Sequence, residues 1–215
     1  MGKELKKLIQ CESPTRAQLD ITCPGWAWMD EFDLIVHAAA YTDVLRAEEE
    51  KQLCYGTNVI GTRNLASLGI PMLYISTEYV FDGTKGDYKE DDFPNPVNFY
   101  GLTKLLGEYE SRRTRSVVIR TLFKPRPFKH SAACGDQFTT GDYVDRIAEK
   151  ISWCITHFNE LPPTLHVGTR KQSIWELAYE SNSGVLKTSI DRMPVKLPRD
   201  CSLYLTLWRK LYGEY

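Results

Sequence analysis

The sequence lacks several features that would place it in a specialised class of protein. It has no run of about 18 apolar residues, so we expect no membrane-spanning helix. Its six cysteines are scattered and contain no C-x-x-C pair, which argues against a zinc site and for reduced thiols in the cytoplasm. Its 27 basic and 28 acidic residues give a net charge of −1, so neither nucleic acid nor an anionic membrane is an expected partner.

What remains is an ordinary globular composition with a regular order of elements. Of the 215 residues, 42% are hydrophobic and 26% are charged, which suits a chain that buries a substantial core. Apolar β-prone runs alternate with segments of helical spacing, and this order predicts a parallel sheet covered by helices. The predicted helices are 2–10, 46–67, 97–112, 142–158, 173–180 and a tail helix from 202, and the predicted extended segments are 18–22, 33–37, 71–76, 116–121 and 164–167.

The segment 98–104 contains a candidate acid–base pair. Tyr100 and Lys104 are four residues apart, which places both side chains on one face of a helix. A tyrosine loses its proton near pH 10, so it is a useful acid at neutral pH only if a nearby cation stabilises the phenolate. Lys104 could supply that cation. The alternative is that the two side chains merely share a solvated helix face.

Two predicted strands end in residues suited to binding a ligand. The strand at 71–76 leads into the adjacent hydroxyls of Ser76 and Thr77, which could hold a carbonyl oxygen or simply cap a turn. The strand at 33–37 is followed by Ala38, Ala39 and Ala40. Such small side chains let the backbone approach a flat ligand such as a nucleotide, or allow tight helix packing.

Several ordered motifs together resemble a known family. Segments 36–42, 58–62 and 75–83, followed by Tyr100 and Lys104, are similar to the extended short-chain dehydrogenase/reductases, and most similar to their dTDP-4-dehydrorhamnose reductase group. The similarity continues through 118–121, 135–138, 165–169 and 197–203. It implies an α/β fold in which residues 1–125 form a Rossmann-like NAD(P)-binding region and residues 126–215 form a small substrate-binding region packed closely on the first.

The resemblance also implies a reaction and a set of site residues. NADPH or NADH would reduce the ketone of a nucleotide-linked 4-keto-6-deoxy sugar, of the dTDP- or UDP-4-dehydrorhamnose type. Tyr100 would donate the proton, Lys104 would lower the pKa of the tyrosine and hold the nicotinamide ribose, and Thr77 or Ser76 would bind the carbonyl oxygen. The cofactor-binding residues implied in this way are Ala38, Ala39, Ala40, Tyr41, Asn58, Ser76, Tyr100 and Lys104, with no metal ligands among them.

One departure from the family pattern concerns the phosphate-binding turn. Relatives open with a strand and a glycine-rich turn whose amides hold the cofactor pyrophosphate. No G-x-x-G-x-x-G segment occurs in this chain, and residues 2–10 read as the helix that follows such a turn. We therefore expect an N-terminally incomplete Rossmann-like sheet with an unpaired edge, which a second chain could cover. Residues 11–22 could still lie near the cofactor's adenosine.

These departures leave other functions open. A non-catalytic relative could serve as a regulatory or assembly subunit, and a sugar-nucleotide epimerase or dehydratase of the same superfamily is a further alternative. A homodimer or a complex with a biosynthetic partner enzyme is expected accordingly. The proline-broken basic segment 122–130 could bind an anionic sugar nucleotide or form a plain solvated loop.

Overall fold

The chain is organised by strands and helices that alternate through its first two thirds. The computed structural model describes residues 1–25 and 31–213. Its helices are α1 (Gly2–Leu8), α2 (Arg46–Glu49), α3 (Lys51–Tyr55), α4 (Gly61–Ala66), α5 (Phe99–Ser111), α6 (Val144–Thr156), α7 (Ile174–Ser181) and α8 (Thr206–Tyr212). Its strands are β1 (Ile35–His37), β2 (Met72–Thr77), β3 (Ser116–Thr121), β4 (Phe123–Lys124), β5 (Ala132–Cys134), β6 (Phe138–Thr139), β7 (Asp142–Tyr143), β8 (Thr164–His166), β9 (Gln172–Ser173) and β10 (Leu186–Thr188).

Four of the strands form a parallel sheet in the order β1-β2-β3-β8. The pairing of β2 with β3 is the longest, and its register places Thr77 beside Thr121 at the carboxyl end of both strands. All six residues of β2 are buried, as expected for a central strand with helices on both faces. The predicted Rossmann-like α/β fold is therefore confirmed.

Alternate residues of the strands face two different helical layers. Met72 and Tyr74 share a core with Val118 and with residues of α4. Leu73 and Ile75 share the larger core with α1, α6 and α8. The sheet is thus the middle layer of three. In the described ranges no strand precedes β1, and β1 has β2 as its only sheet neighbour there.

Two of the predicted elements are wrong. The segment 18–22 is a turn rather than an extended piece, because the Asp20 carboxylate accepts hydrogen bonds from the backbone N–H and the hydroxyl of Thr22. The single helix predicted at 46–67 is divided into α2, α3, a π-helical turn at Gly56–Ile60, and α4. The first break falls at Glu50, whose side chain is bonded to Tyr41 and Arg46.

The later part of the chain adds small two-stranded sheets and returns to the main sheet. β4 pairs with β7, β5 with β10, and β6 with β9, and all of them lie after residue 122. β8 then joins the edge of the four-stranded sheet, and α6 packs on its α1 side. The division into two regions at residue 125 stays a prediction. Within the described ranges, none of the helices is long and apolar enough to cross a membrane.

A buried ion pair connects the sheet to α5. Arg120 on β3 donates to both carboxylate oxygens of Glu108, at 3.0 Å from Nε to Oε1 and 2.9 Å from Nη2 to Oε2. The side chains are 4% and 0% exposed. Ser76 donates a third bond, 2.6 Å long, to Oε1 of Glu108. A charge buried in this way is tolerated only because its partners satisfy it.

The start of α5 is fixed by an asparagine cap, which gives a testable prediction. The side-chain oxygen of Asn98 accepts a hydrogen bond from the backbone N–H of Gly101 at 2.8 Å, and its side-chain amide donates to the backbone carbonyl of Lys196 at 3.1 Å. We expect Asn98→Ala to lower the free energy of unfolding by about 0.5–2 kcal/mol, because a helix-end N–H loses its acceptor. Urea denaturation measures this. Asn98→Asp retains the acceptor and should lose less; equal losses in the two variants would contradict the capping role.

Candidate active site

Tyr100 and Lys104 lie on the first two turns of α5, beside the carboxyl end of β2. The Asn98 cap sets where the helix begins. Gly101 allows close contact there, because a Cβ at this position would overlap the carbonyl oxygen of Tyr79. The helix start is therefore pressed against the turn that follows β2, and the two candidate side chains are held at the end of the central strands.

Lys104 is buried and reaches the backbone of β2. Its Nζ donates to the carbonyl oxygen of Ile75 at 2.8 Å and lies 4.1 Å from the centroid of the Tyr74 ring. The residue is only 2% exposed. Burial lowers the pKa of Lys104 to about 7, although Glu108 one turn away opposes the shift. Its charge therefore changes within the physiological pH range.

Tyr100 and Thr77 are brought together as the sequence suggested. Burial raises the pKa of Tyr100 to about 12, and the neighbouring Thr77 hydroxyl opposes part of this shift. The Thr77 hydroxyl also accepts from the N–H of Tyr79 at 3.2 Å and caps the 3₁₀ turn Glu78–Val80. Both readings of Thr77 are thus compatible with its position. Because burial makes Tyr100 a weaker acid, a neighbouring cation matters more here than at a solvated tyrosine.

Ser76 points in a different direction from Thr77. Its hydroxyl donates to the buried Glu108 carboxylate, so the proton of the hydroxyl is committed to the ion-pair network below α5. Successive strand residues face opposite sides of a sheet, which explains why the two neighbours diverge. Of the two hydroxyls, Thr77 is the one next to Tyr100. The expected cofactor contact of Ser76 stays a prediction.

Asn58 ties the segment after β1 to α5. Its side-chain oxygen accepts from the N–H of Tyr41 at 2.8 Å, and its amide donates to the Tyr41 carbonyl at 3.1 Å and to Oγ1 of Thr103 at 2.9 Å. Asn58 lies in the π-helical turn, and such turns often occur at functional sites. Asn58 is 1% exposed, so in this structure it orders the backbone at Tyr41, directly after the three alanines.

A cavity of about 680 Å³ opens beside the edge of the sheet. Three alanines and Tyr41 form one wall, and parts of the segment 12–22 form the other. Its volume is in the range of small-molecule sites. Arg16 and Arg46 line it, each paired with a carboxylate of Asp20 or Glu50. The residues of this cavity that the sequence predicted are Ala38, Ala39, Ala40 and Tyr41, whereas Thr77, Tyr100 and Lys104 lie outside its lining.

Sequence reasoning missed His37 and Tyr74, which lie behind Lys104. The His37 ring lies 5.3 Å from the Tyr74 ring, centroid to centroid, and its Nε2 is 2.9 Å from the hydroxyl of Thr62. Burial, and then the charge of Lys104, lower the pKa of His37 to about 3. The signal available in the sequence was strand alternation, since Tyr74 is two residues before Ser76 and faces the same helix.

The fold and the site together define the class of protein. The sheet is parallel and Rossmann-like, and its strand β2 ends in a hydroxyl beside a helix that contains a Tyr and a Lys four residues apart. This arrangement agrees with the resemblance of the sequence to the extended short-chain dehydrogenase/reductases. The family model described as RmlD substrate binding domain matches residues 1–123. The chain belongs to this family.

Individual relatives agree with the family assignment. The chain is 40% identical over 138 residues to a dTDP-4-dehydrorhamnose reductase of Aggregatibacter actinomycetemcomitans, a match that covers 56% of this chain and 47% of that protein. It is 42% identical over 79 residues to methionine adenosyltransferase 2 subunit beta of Xenopus tropicalis, covering 35% of this chain and 24% of the relative. The chain thus spans less than half the length of the curated relatives it matches.

A solved structure extends the similarity over the whole chain. The dTDP-4-dehydrorhamnose reductase of Bacillus anthracis, crystallised in complex with NADP, superposes with a TM-score of 0.79 at 26% sequence identity. The superposition covers 99% of this chain and 88% of that structure. The later segments of this chain therefore follow the fold of a full reductase.

Proposed function

We propose that this chain is an NADPH- or NADH-dependent reductase that acts on the 4-keto group of a nucleotide-linked 4-keto-6-deoxy sugar. The observation that carries the proposal is the arrangement of Tyr100, Lys104 and Thr77 at the carboxyl end of β2. Similarity to reductases of dTDP-4-dehydrorhamnose supports the substrate class, and the NADP complex of the Bacillus anthracis protein supports the cofactor.

Each of the three side chains has a part in the proposed reaction. A bound reduced nicotinamide would supply the hydride. The hydroxyl of Thr77 donates a hydrogen bond to the ketone oxygen and stabilises the negative charge that develops on it. Tyr100 gives its phenolic proton to the same oxygen, and the Lys104 ammonium stabilises the phenolate that remains. This last role is required because burial raises the pKa of Tyr100 to about 12.

The cavity residues fit one end of a dinucleotide. Ala38 to Ala40 leave room beside the sheet edge for a flat base, and Arg16 and Arg46 have N–H groups beyond those paired with Asp20 and Glu50. We propose that Lys104 and Tyr100 hold the nicotinamide ribose and that Asn58 acts by fixing the backbone of Tyr41. A glycine-rich cradle of amides for the pyrophosphate is absent from the sequence, so the phosphates have fewer partners in this chain.

A direct assay tests the proposal. The purified chain is mixed with NADPH and a dTDP-linked 4-keto-6-deoxy sugar, and the absorbance of the reduced nicotinamide is followed. Consumption that depends on the sugar supports a reductase. Binding of both compounds without consumption would favour a non-catalytic role, and conversion of the sugar without net consumption would favour an epimerase or dehydratase.

A second candidate function is that of a regulatory or assembly subunit. The observation that favours it is the similarity of 79 residues to a protein named as the beta subunit of methionine adenosyltransferase 2. Static light scattering of the chain, alone and with a candidate partner enzyme, tests this role, and it also tests the expected homodimer.

The missing turn leads to a prediction about affinity. We expect this chain to bind NADPH or NADH more weakly than micromolar, because each lost charge-assisted hydrogen bond to the pyrophosphate removes about 1.5–3 kcal/mol. Two such bonds correspond to roughly two to four decades in Kd. Titration of nicotinamide fluorescence measures the value. Micromolar or tighter binding would show that another part of the chain replaces the phosphate turn.

A further inference from the structure

Lys104 has unusually few partners for a buried ammonium group. Within residues 1–25 and 31–213, its Nζ has one hydrogen bond, to the carbonyl of Ile75. Among the described residues, no carboxylate lies within ion-pair distance of it. The carboxylate of Glu108, on the next turn of the helix, accepts hydrogen bonds from Arg120 and Ser76 instead. A buried charge without a counterion depends strongly on whatever neutral partners remain.

The largest of those neutral partners is the face of the Tyr74 ring. The ammonium nitrogen is 4.1 Å from the ring centroid, well inside the distance at which a cation is attracted to an aromatic face. Tyr74 is fully buried. Its hydroxyl donates to the backbone carbonyl of Lys104 at 3.3 Å, so the same side chain contacts both ends of the lysine.

The Tyr74 ring is itself held from two sides. The His37 ring lies against it, and a Cβ added at Gly107 would overlap its hydroxyl. Glycine at position 107 of α5 is therefore what admits the hydroxyl beneath the helix. With both sides filled, the ring has little freedom to move away from the ammonium group.

We propose that Tyr74 is a positioning residue that holds the ammonium group of Lys104 against the end of β2. This inference rests on the proposed function only in assigning Lys104 as the cation that serves Tyr100. The groups that face Lys104 are Glu108 on its own helix, Cys54 on α3, His37 on β1 and Tyr74 on β2. Of these, Tyr74 alone presents a ring face to the ammonium nitrogen at the distance given above.

The test measures the pKa of Lys104 directly. Protein labelled with ¹³C at the lysine Cε is titrated from pH 5 to pH 10 by NMR, and Lys104→Met identifies the resonance. We expect Tyr74→Phe, which keeps the ring, to leave the pKa within a few tenths of the wild-type value. Tyr74→Leu removes the ring and should lower the pKa by about one unit, because the charged form loses its attraction to the aromatic face.

Two further variants keep the result interpretable. Tyr74→Met also removes the ring, fills the buried position with a flexible side chain and should lower the same pKa, which covers the case in which Tyr74→Leu does not fold. Tyr109→Leu changes an exposed tyrosine on the same helix and should leave the pKa unchanged. An unaltered titration of Lys104 in both Tyr74→Leu and Tyr74→Met would overturn the positioning role.

Activity measurements separate this inference from the proposed function. If the chain is a reductase, its kcat should fall as pH rises through the pKa of Lys104, and Tyr74→Leu should move this fall to lower pH by about one unit. A shifted NMR titration in a chain without turnover would support the positioning role and contradict the reductase. Turnover with an unshifted NMR titration would support the reductase and contradict the positioning role of Tyr74.

Discussion

Tyr100→Phe is expected to lower the rate of carbonyl reduction by about 10² to 10⁴, the usual contribution of a general acid. The change removes one hydroxyl and keeps the ring, including its edge-on contact with Tyr79 at 6.2 Å between centroids. The fold should therefore be retained. Lys104→Met should be similarly damaging, because the phenolate of Tyr100 would then form in a buried site without a cation. The assay follows NADPH oxidation with a 4-keto-6-deoxy sugar nucleotide.

The matched control for this experiment is on the same helix. Tyr109 is 57% exposed on α5, so Tyr109→Phe makes an identical chemical change away from the site and should retain full activity. A Tyr100→Phe enzyme that matches wild type within a few-fold would show that Tyr100 is not the acid. If the wild-type protein shows no turnover at all, the role of a regulatory or assembly subunit is favoured over the reductase.

Arg120→Met is expected to destabilise the protein by about 3–5 kcal/mol, since it leaves the carboxylate of Glu108 buried without its cation. The free energy of unfolding of a typical domain is about 5–15 kcal/mol, so this loss would be a large part of it. The Glu108 side chain is fully buried and keeps only the bond from Ser76. Urea denaturation, followed by circular dichroism, gives the free energy of unfolding.

Two comparisons give this result its meaning. The double variant Glu108→Leu with Arg120→Met removes both charges and should recover most of the loss, because no buried charge is left unpaired. Arg113→Met breaks the ion pair with Glu110 at the surface, where the arginine side chain is 59% exposed, and should cost about 1 kcal/mol or less. Equal losses for Arg113→Met and Arg120→Met would mean that the buried pair carries no special cost.

The parts of the site that are local in sequence could be predicted, and the parts built by long-range contacts could not. Tyr100 and Lys104 follow from helical spacing, and Thr77 follows from its place at a strand end. The roles of Asn58 and Tyr74 depend on which helix packs on which strand. No local pattern shows that the amide of Asn58 reaches Tyr41 and Thr103 across the fold.

The same distinction explains the errors in the secondary structure. The apolar spacing of 46–67 is helical throughout. It gives no signal for the hydrogen bond from Tyr41 to Glu50 or for the π-helical turn at Gly56–Ile60. At 18–22 the residues are β-prone, but the Asp20 side chain accepts a hydrogen bond from the backbone N–H of Thr22 and a turn forms instead. At 18–22 a polar side chain therefore sets the backbone path.

The widened turn at Gly56–Ile60 has a consequence for how this chain tolerates changes in length. A π-helical turn holds one residue more than the α-helical ladder requires. Because the wider turn absorbs that residue, deleting one residue from it would restore a regular helix and leave α3 and α4 close to their present orientations. Asn58, which lies within the turn, would change its position relative to Tyr41 and Thr103. The hydrogen bonds of Asn58, rather than the orientation of the flanking helices, therefore depend on the extra residue.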